Sequence, residues 1–202
     1  PGPAHVADRH NAGFMLLDWL AEQWGVEFRR EFRCNAESGR SSSGVRLLKP
    51  LTYMNLSGDA VAACATYFRI PVPSILVVHD ELDFAPGIVR LKRGGGHAGH
   101  NGLRSIVLTL GSSDFLRVRL GIGHPGSSGD VSAYVLQRPS PQDVKSLAVA
   151  IESVVAPPDT KLAREINMEA NRPVAATVLI GSVPDLLAAV PAVAATEPIV
   201  DC

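Results

Sequence analysis

Apolar positions Phe14, Leu17, Leu20, Ala21 and Trp24 recur at steps of three and four, which predicts a helix from Asn11 to Trp24 with Gly25 as its stop. Glu27 to Cys34 and Val45 to Leu48 read as the two strands of a β-hairpin, joined by a Ser- and Gly-rich turn over Ser38 to Gly44. Ser57 is placed to cap a helix running to about Phe68, and Pro71 and Pro73 end that element. The run SILVVHD that follows is continuous and rich in β-branched residues, the pattern of a strand buried on both faces. It should be a central strand with His79 and Asp80 at its C-terminal end. Ile88 to Lys92 and Leu116 to Ile122 read as further strands, with a helix from about Asn101 to Leu110 between them. Ser140, Pro141 and Asp143 form a helix start, and Leu147, Val149 to Ile151 and Val154 supply its apolar surface. A short helix is expected over Lys161 to Asn171.

Strands alternating with helices indicate an α/β fold layered around a mixed sheet. After Arg172 the composition turns to Ala, Val and Pro, and Pro173, Pro184, Pro191 and Pro198 interrupt any long element. Residues 1–172 are therefore expected to form one domain, and 173–202 a mobile tail with one helix near Pro184 to Val190. With 202 residues and 46% hydrophobic content the chain supports one sizeable core. Cys34, Cys64 and Cys202 are odd in number and form no CxxC pair, which argues against both a disulfide framework and a zinc site and fits a reducing cytoplasm. No apolar run is long enough for a membrane span, and the first ten residues do not have the form of a secretory signal. The formal net charge is -1, but the last 30 residues hold three acids and no Lys or Arg, leaving 19 basic against 17 acidic groups in the first 172. Any binding of nucleic acid would depend on a local patch rather than on a global field.

Five blocks concentrate His, Asn, Asp or Gly at the ends of apolar runs: RHNAGF at 9–14, YMNLSG at 53–58, VVHDELD at 77–83, GGGHAGHNGLRS at 94–105 and RVRLGIGHPG at 117–126. Polar side chains delivered to one end of a sheet point to a single cleft assembled from all five. In order and spacing the blocks resemble the bacterial-type peptidyl-tRNA hydrolases, from Pro1 to about Arg172. The resemblance implies a three-layer αβα domain that acts as a monomer on peptidyl-tRNA without metal or cofactor. It also implies an N-terminal strand ending in Asn ahead of Pro1. Without that strand the sheet would have an interior gap with two unpaired edges, unless another segment fills it.

Carried over residue by residue, the resemblance makes His10 the base that activates water and Asp80 the carboxylate that orients it. A lone His is more often structural, and an Asp after a strand often only caps a turn. Asn55 and Asn101 match amides that hold the peptide and the 3' end of the tRNA, and they are potential oxyanion donors. A turn residue and a helix cap are their plain alternatives. Tyr53 matches a substrate-contacting position, as does His5, where the family has Tyr; the smaller ring offers less area. Lys92 and Arg119 match a clamp on the terminal phosphate of the acceptor stem, within a stretch, 90–119, that carries six basic groups and one acid. The alternative there is an ordinary solvated strand edge, on the expectation that alternate side chains of RVRL point to opposite faces. The Gly-rich run from Gly94 lacks the GKS or GKT of a phosphate loop and reads as a cleft rim in which His100 fixes loop geometry.

Two other functions fit the same residues. One is a non-catalytic RNA-binding relative of the family, as plant organelle splicing factors that resemble it show. The other is a metal-dependent hydrolase built on His79, Asp80, His97 and His100, which would lose activity to a chelator.

Overall fold

The computed structural model describes residues 8–42, 44–126, 131–155 and 179–180. Among them, seven strands form one mixed sheet in the order β1-β2-β3-β7-β4-β6-β5. The strands are β1 (Arg29–Glu31), β2 (Ala36–Arg40), β3 (Arg46–Pro50), β4 (Leu76–Glu81), β5 (Val89–Arg93), β6 (Leu116–Gly121) and β7 (Leu179–Ile180). The helices are α1 (Ala12–Trp24), α2 (Ser57–Tyr67), α3 (Asn101–Leu110), α4 (Val131–Val135) and α5 (Pro141–Val155). All six residues of β4 are buried, so helices and loops cover both faces at the sheet's centre. β4 and β6 run parallel, and β5 closes that edge antiparallel to β6.

Helix α1 follows its periodicity. It buries Ala12, Leu16, Leu17, Leu20 and Ala21 and ends on Gly25 in the left-handed conformation, whose N–H bonds back to the carbonyls of Ala21 and Glu22. α3 spans Asn101–Leu110 as expected. α5 starts where Ser140 and Asp143 exchange bonds, each backbone N–H donating to the other's side-chain oxygen at 3.1 Å.

Three expectations are corrected. The Ser- and Gly-rich stretch is not simply a turn, because its first half is β2, the middle strand of a meander that pairs with both β1 and β3. Small residues suit this strand because another backbone approaches it: a Cβ on Gly39 would lie 2.6 Å from the carbonyl oxygen of Glu27. Ser57 is the first residue of α2 rather than its cap. A 3-10 turn, Met54–Leu56, runs directly into the helix, and Ser105 Oγ accepts the N–H of Gly58 at 2.9 Å. Finally, Leu179–Ile180, in the segment read as a tail, pairs antiparallel with β3 and touches β4 at Leu76, so it lies between those two strands. The helices expected over 161–171 and 184–190, the boundary at 172 and His5 lie outside the described residues. No helix among the described residues is long and apolar enough to cross a membrane.

Candidate active site

The C-terminal end of β4 delivers Asp80, which is 4% exposed, to the floor of the cleft. His10 reaches it from the 3-10 turn Arg9–Asn11 that leads into α1. That turn sits close to the sheet because of Gly13 in the RHNAGF block: a Cβ there would lie 2.7 Å from the carbonyl oxygen of Val78. His10 Nδ1 donates to Asp80, at 2.8 Å from one carboxylate oxygen and 3.0 Å from the other.

A third residue completes the cluster. His100 Nε2 donates to Asp80 Oδ1 at 3.1 Å, while its Nδ1 accepts the backbone N–H groups of Gly102 and Leu103 and so caps α3. The expected loop-fixing role of His100 is thus realised, and the cap is His100 rather than Asn101, which is the first residue of the helix. The bond to Asp80 was missed by sequence reasoning. Its only signal was a His immediately before a helix start in a block already assigned to the cleft.

These bonds fix the tautomers. Two N–H donors at His100 Nδ1 require its proton on Nε2, and the Asp80 carboxylate requires the His10 proton on Nδ1. The free lone pair of His10 is therefore on Nε2. Burial works against the Asp80 charge, but His100 and then His10 more than offset it and hold the carboxyl well below the usual carboxylate range.

His10, Asp80 and His100 also have ligand-type atoms within 4.8 Å of one another, the one such group among the described residues. Coordination there would need the lone pair that His100 Nε2 lacks while it caps α3. His79 and His97 do not join the group: His79 Nδ1 donates to the carbonyl of Asp80 at 2.7 Å, and His97 Nδ1 accepts the N–H of Gly99.

His79 has a different consequence. Its Nε2 is buried without a hydrogen-bond partner, and burial lowers the imidazole pKa to about 3. The unfolded chain therefore takes up a proton near pH 6.5 that the folded chain refuses, so His79 weakens the fold as pH falls from about 6.5 towards 3. From pH 7 to pH 5 the loss is about 2 kcal/mol. Asp80 does not contribute to the change, because the stability from its depressed pKa is complete above its unfolded value, about 4. Urea unfolding should show the drop in the parent chain, and His79→Asn should remove it.

Two cavities meet at this cluster and share His10, His79, Asp80, His100, Asn101, Leu103, Ser132 and Val135. The first, about 570 Å³, is mostly apolar, with Phe14, Pro50, Tyr53, Met54, Asn55 and Leu136 in its lining. The second, about 490 Å³, holds Lys92, Arg117, Arg119, His97 and His124 beside Glu81 and Asp83. Both amides and both cations singled out from the sequence thus line one cleft system.

The basic strands differ from expectation. Arg117 and Arg119 are two residues apart and share a face, and the register sets Lys92 opposite Arg117 and Arg90 opposite Arg119. β6 is an interior strand, not an edge. Arg117 is 2% exposed and donates to the carbonyls of Gly96 and Gly95 at 2.6 and 2.7 Å, holding the Gly-rich rim. Arg119 donates to Glu81 at 2.9 Å and lies over the ring of Phe84. Lys92 is exposed and makes no ion pair among the described residues.

The model of the family described as peptidyl-tRNA hydrolase matches residues 1–177. The chain belongs to the peptidyl-tRNA hydrolase family. It is 52% identical over 155 residues to the peptidyl-tRNA hydrolase of Halorhodospira halophila, covering 75% of this chain and 80% of that protein. Identity to the peptidyl-tRNA hydrolase of Methylococcus capsulatus is 50% over 174 residues, or 85% and 93% of the two chains. Among solved structures, that of the Acinetobacter baumannii peptidyl-tRNA hydrolase superposes with a TM-score of 0.73 at 43% identity, covering 76% of this chain and 80% of that one. A peptidyl-tRNA hydrolase solved with N-propanol gives a TM-score of 0.75 at 36% identity, covering 95% and 92%.

Proposed function

We propose that the chain hydrolyses the ester between an N-blocked peptide and the ribose of tRNA, releasing free tRNA and peptide. The observation that carries this is the His10 to Asp80 bond, which leaves His10 Nε2 as an oriented acceptor at the junction of an apolar and a cationic cavity. Nε2 takes a proton from water as the water's oxygen attacks the ester carbonyl, and Asp80 favours the imidazolium that forms. The amides of Asn55 and Asn101 hold the acyl group and the 3' end and are oxyanion donors. Collapse of the tetrahedral intermediate expels the ribose oxygen, which recovers the proton from His10.

The peptide takes the apolar cavity, beside Tyr53 and Met54. The acceptor stem takes the other, where Lys92 meets the terminal phosphate directly and Arg119 meets it in competition with Glu81. Such contacts read charge and not sequence, so one enzyme accepts many tRNAs. The substrate, the free thiols of Cys34 and Cys64, and the family together support a cytoplasmic enzyme, which we take to act as a monomer.

Release of N-acetylated amino acid from its tRNA ester tests the proposal. Lys92→Ala should raise KM with kcat unchanged and reduce the slope of log(kcat/KM) against log[salt] by about 0.7 to 0.9. Removing the 5' phosphate from the tRNA should do the same to the parent and add nothing to the variant. An unchanged salt slope would remove Lys92 from the phosphate site.

A further inference from the structure

Beside His10 lies a cation that the hydrolytic scheme does not use. Arg9 is 8% exposed and reaches residues far along the chain. Its backbone N–H donates to the carbonyl of Gln137 at 3.1 Å. Nη1 donates to the carbonyl of Arg138 at 3.0 Å, and Nη2 pairs with Asp143 at 3.2 Å. The guanidinium carbon sits 4.2 Å from the ring centroid of Tyr134, whose hydroxyl donates to the carbonyl of Ile122 at 2.7 Å.

These contacts surround α4. A helix of five residues has little stability of its own, so its place is set by what holds its ends. Arg9 holds the carbonyls that follow it, and Asp143 is half of the reciprocal cap that opens α5. Ser132 and Val135 of α4 line both cavities. One side chain therefore connects the turn that carries the base to the wall that faces the substrate.

We infer that Arg9 is a positioning residue for the hydrolysis, clamping the His10 turn to the end of α4 so that base and cleft wall move as one unit. The inference rests on the assignment of His10 as base. Lys is a poor substitute, because one ammonium cannot span the Arg138 carbonyl and the Asp143 carboxylate in the planar fork geometry that Arg supplies.

The test combines kinetics with side-chain 15N NMR of His10. Arg9→Met should lower kcat about 10- to 100-fold per folded molecule, with KM within about threefold, because a small misplacement of the base costs rate rather than binding. The His10 spectrum should change from a single Nδ1–H tautomer to a mixture. Arg9→Lys should recover part of the rate and of the tautomer signal. A kcat equal to that of the parent, or an unperturbed His10 spectrum with KM raised in proportion to the loss, would overturn the inference. If Arg9→Met does not fold, Arg9→Lys and Asp143→Asn decide it: both should lower kcat, and parental kcat in both would refute the clamp. His10→Ala separates the two levels. If that variant is active, the base assignment fails, while the tautomer spectra still report whether Arg9 fixes the ring.

Discussion

His10→Ala is expected to lower kcat/KM for N-acetylaminoacyl-tRNA by about 100- to 10,000-fold, the range for removal of a general base. The loss should fall on kcat. Tyr53, Asn55, Asn101 and Lys92, which engage the acyl group and the tRNA in the proposed scheme, are left in place, so tRNA binding measured by filter retention or anisotropy should persist. The fold should persist as well, since Asp80 keeps its bond from His100. An activity within about threefold of the parent would mean that another group activates the water.

Asp80→Asn is the second large effect. The carboxylate accepts from both His10 Nδ1 and His100 Nε2. Both bonds reach Oδ1, where an Asn oxygen could still accept from each ring, but the NH₂ of Asn replaces Oδ2 and lies 3.0 Å from His10 Nδ1. Two donors then face each other, which favours the ring proton on Nε2, and the negative charge that favours the imidazolium is gone. In the Nε2–H tautomer the base atom is a donor. A loss of kcat comparable to that of His10→Ala is expected, with KM little changed. The His10 15N spectrum should show the Nε2–H tautomer. Full activity in Asp80→Asn would mean that the carboxylate only caps the strand end.

The parts of the fold that were legible in the sequence are those in which a local pattern and the tertiary demand agree. β4 is an unbroken apolar run because both of its faces are covered, and α1 and α3 carry their buried stripes at helical spacing. β2 was misread because Ser38 and Gly39 are turn-formers by composition. Here Gly39 serves close packing against the backbone of Glu27, ahead of β1, a requirement that the local sequence does not display. α4 escaped notice because five residues give too little periodicity to register. In the site, the five blocks converge as expected, and His10, Tyr53, Asn55, Asp80, Lys92, Asn101 and Arg119 all line the two cavities. The chain's pattern could not show how the cations divide. Arg117 and Arg119 look equivalent in RVRL, yet one is buried against the Gly-rich rim and the other pairs with Glu81. That division follows from the register of β5, β6 and β4, which no local spacing encodes.

The most direct test of the central claim is multiple-turnover release of N-acetylated amino acid from its tRNA ester by the chain in the presence of a chelator. Turnover that continues at the chelator-free rate is the expected result, because the scheme needs only His10, Asp80, the two amides and water. Absence of release with tRNA binding intact would contradict the hydrolase and leave an RNA-binding member of the family. Release that stops on chelation would instead place a metal in the reaction.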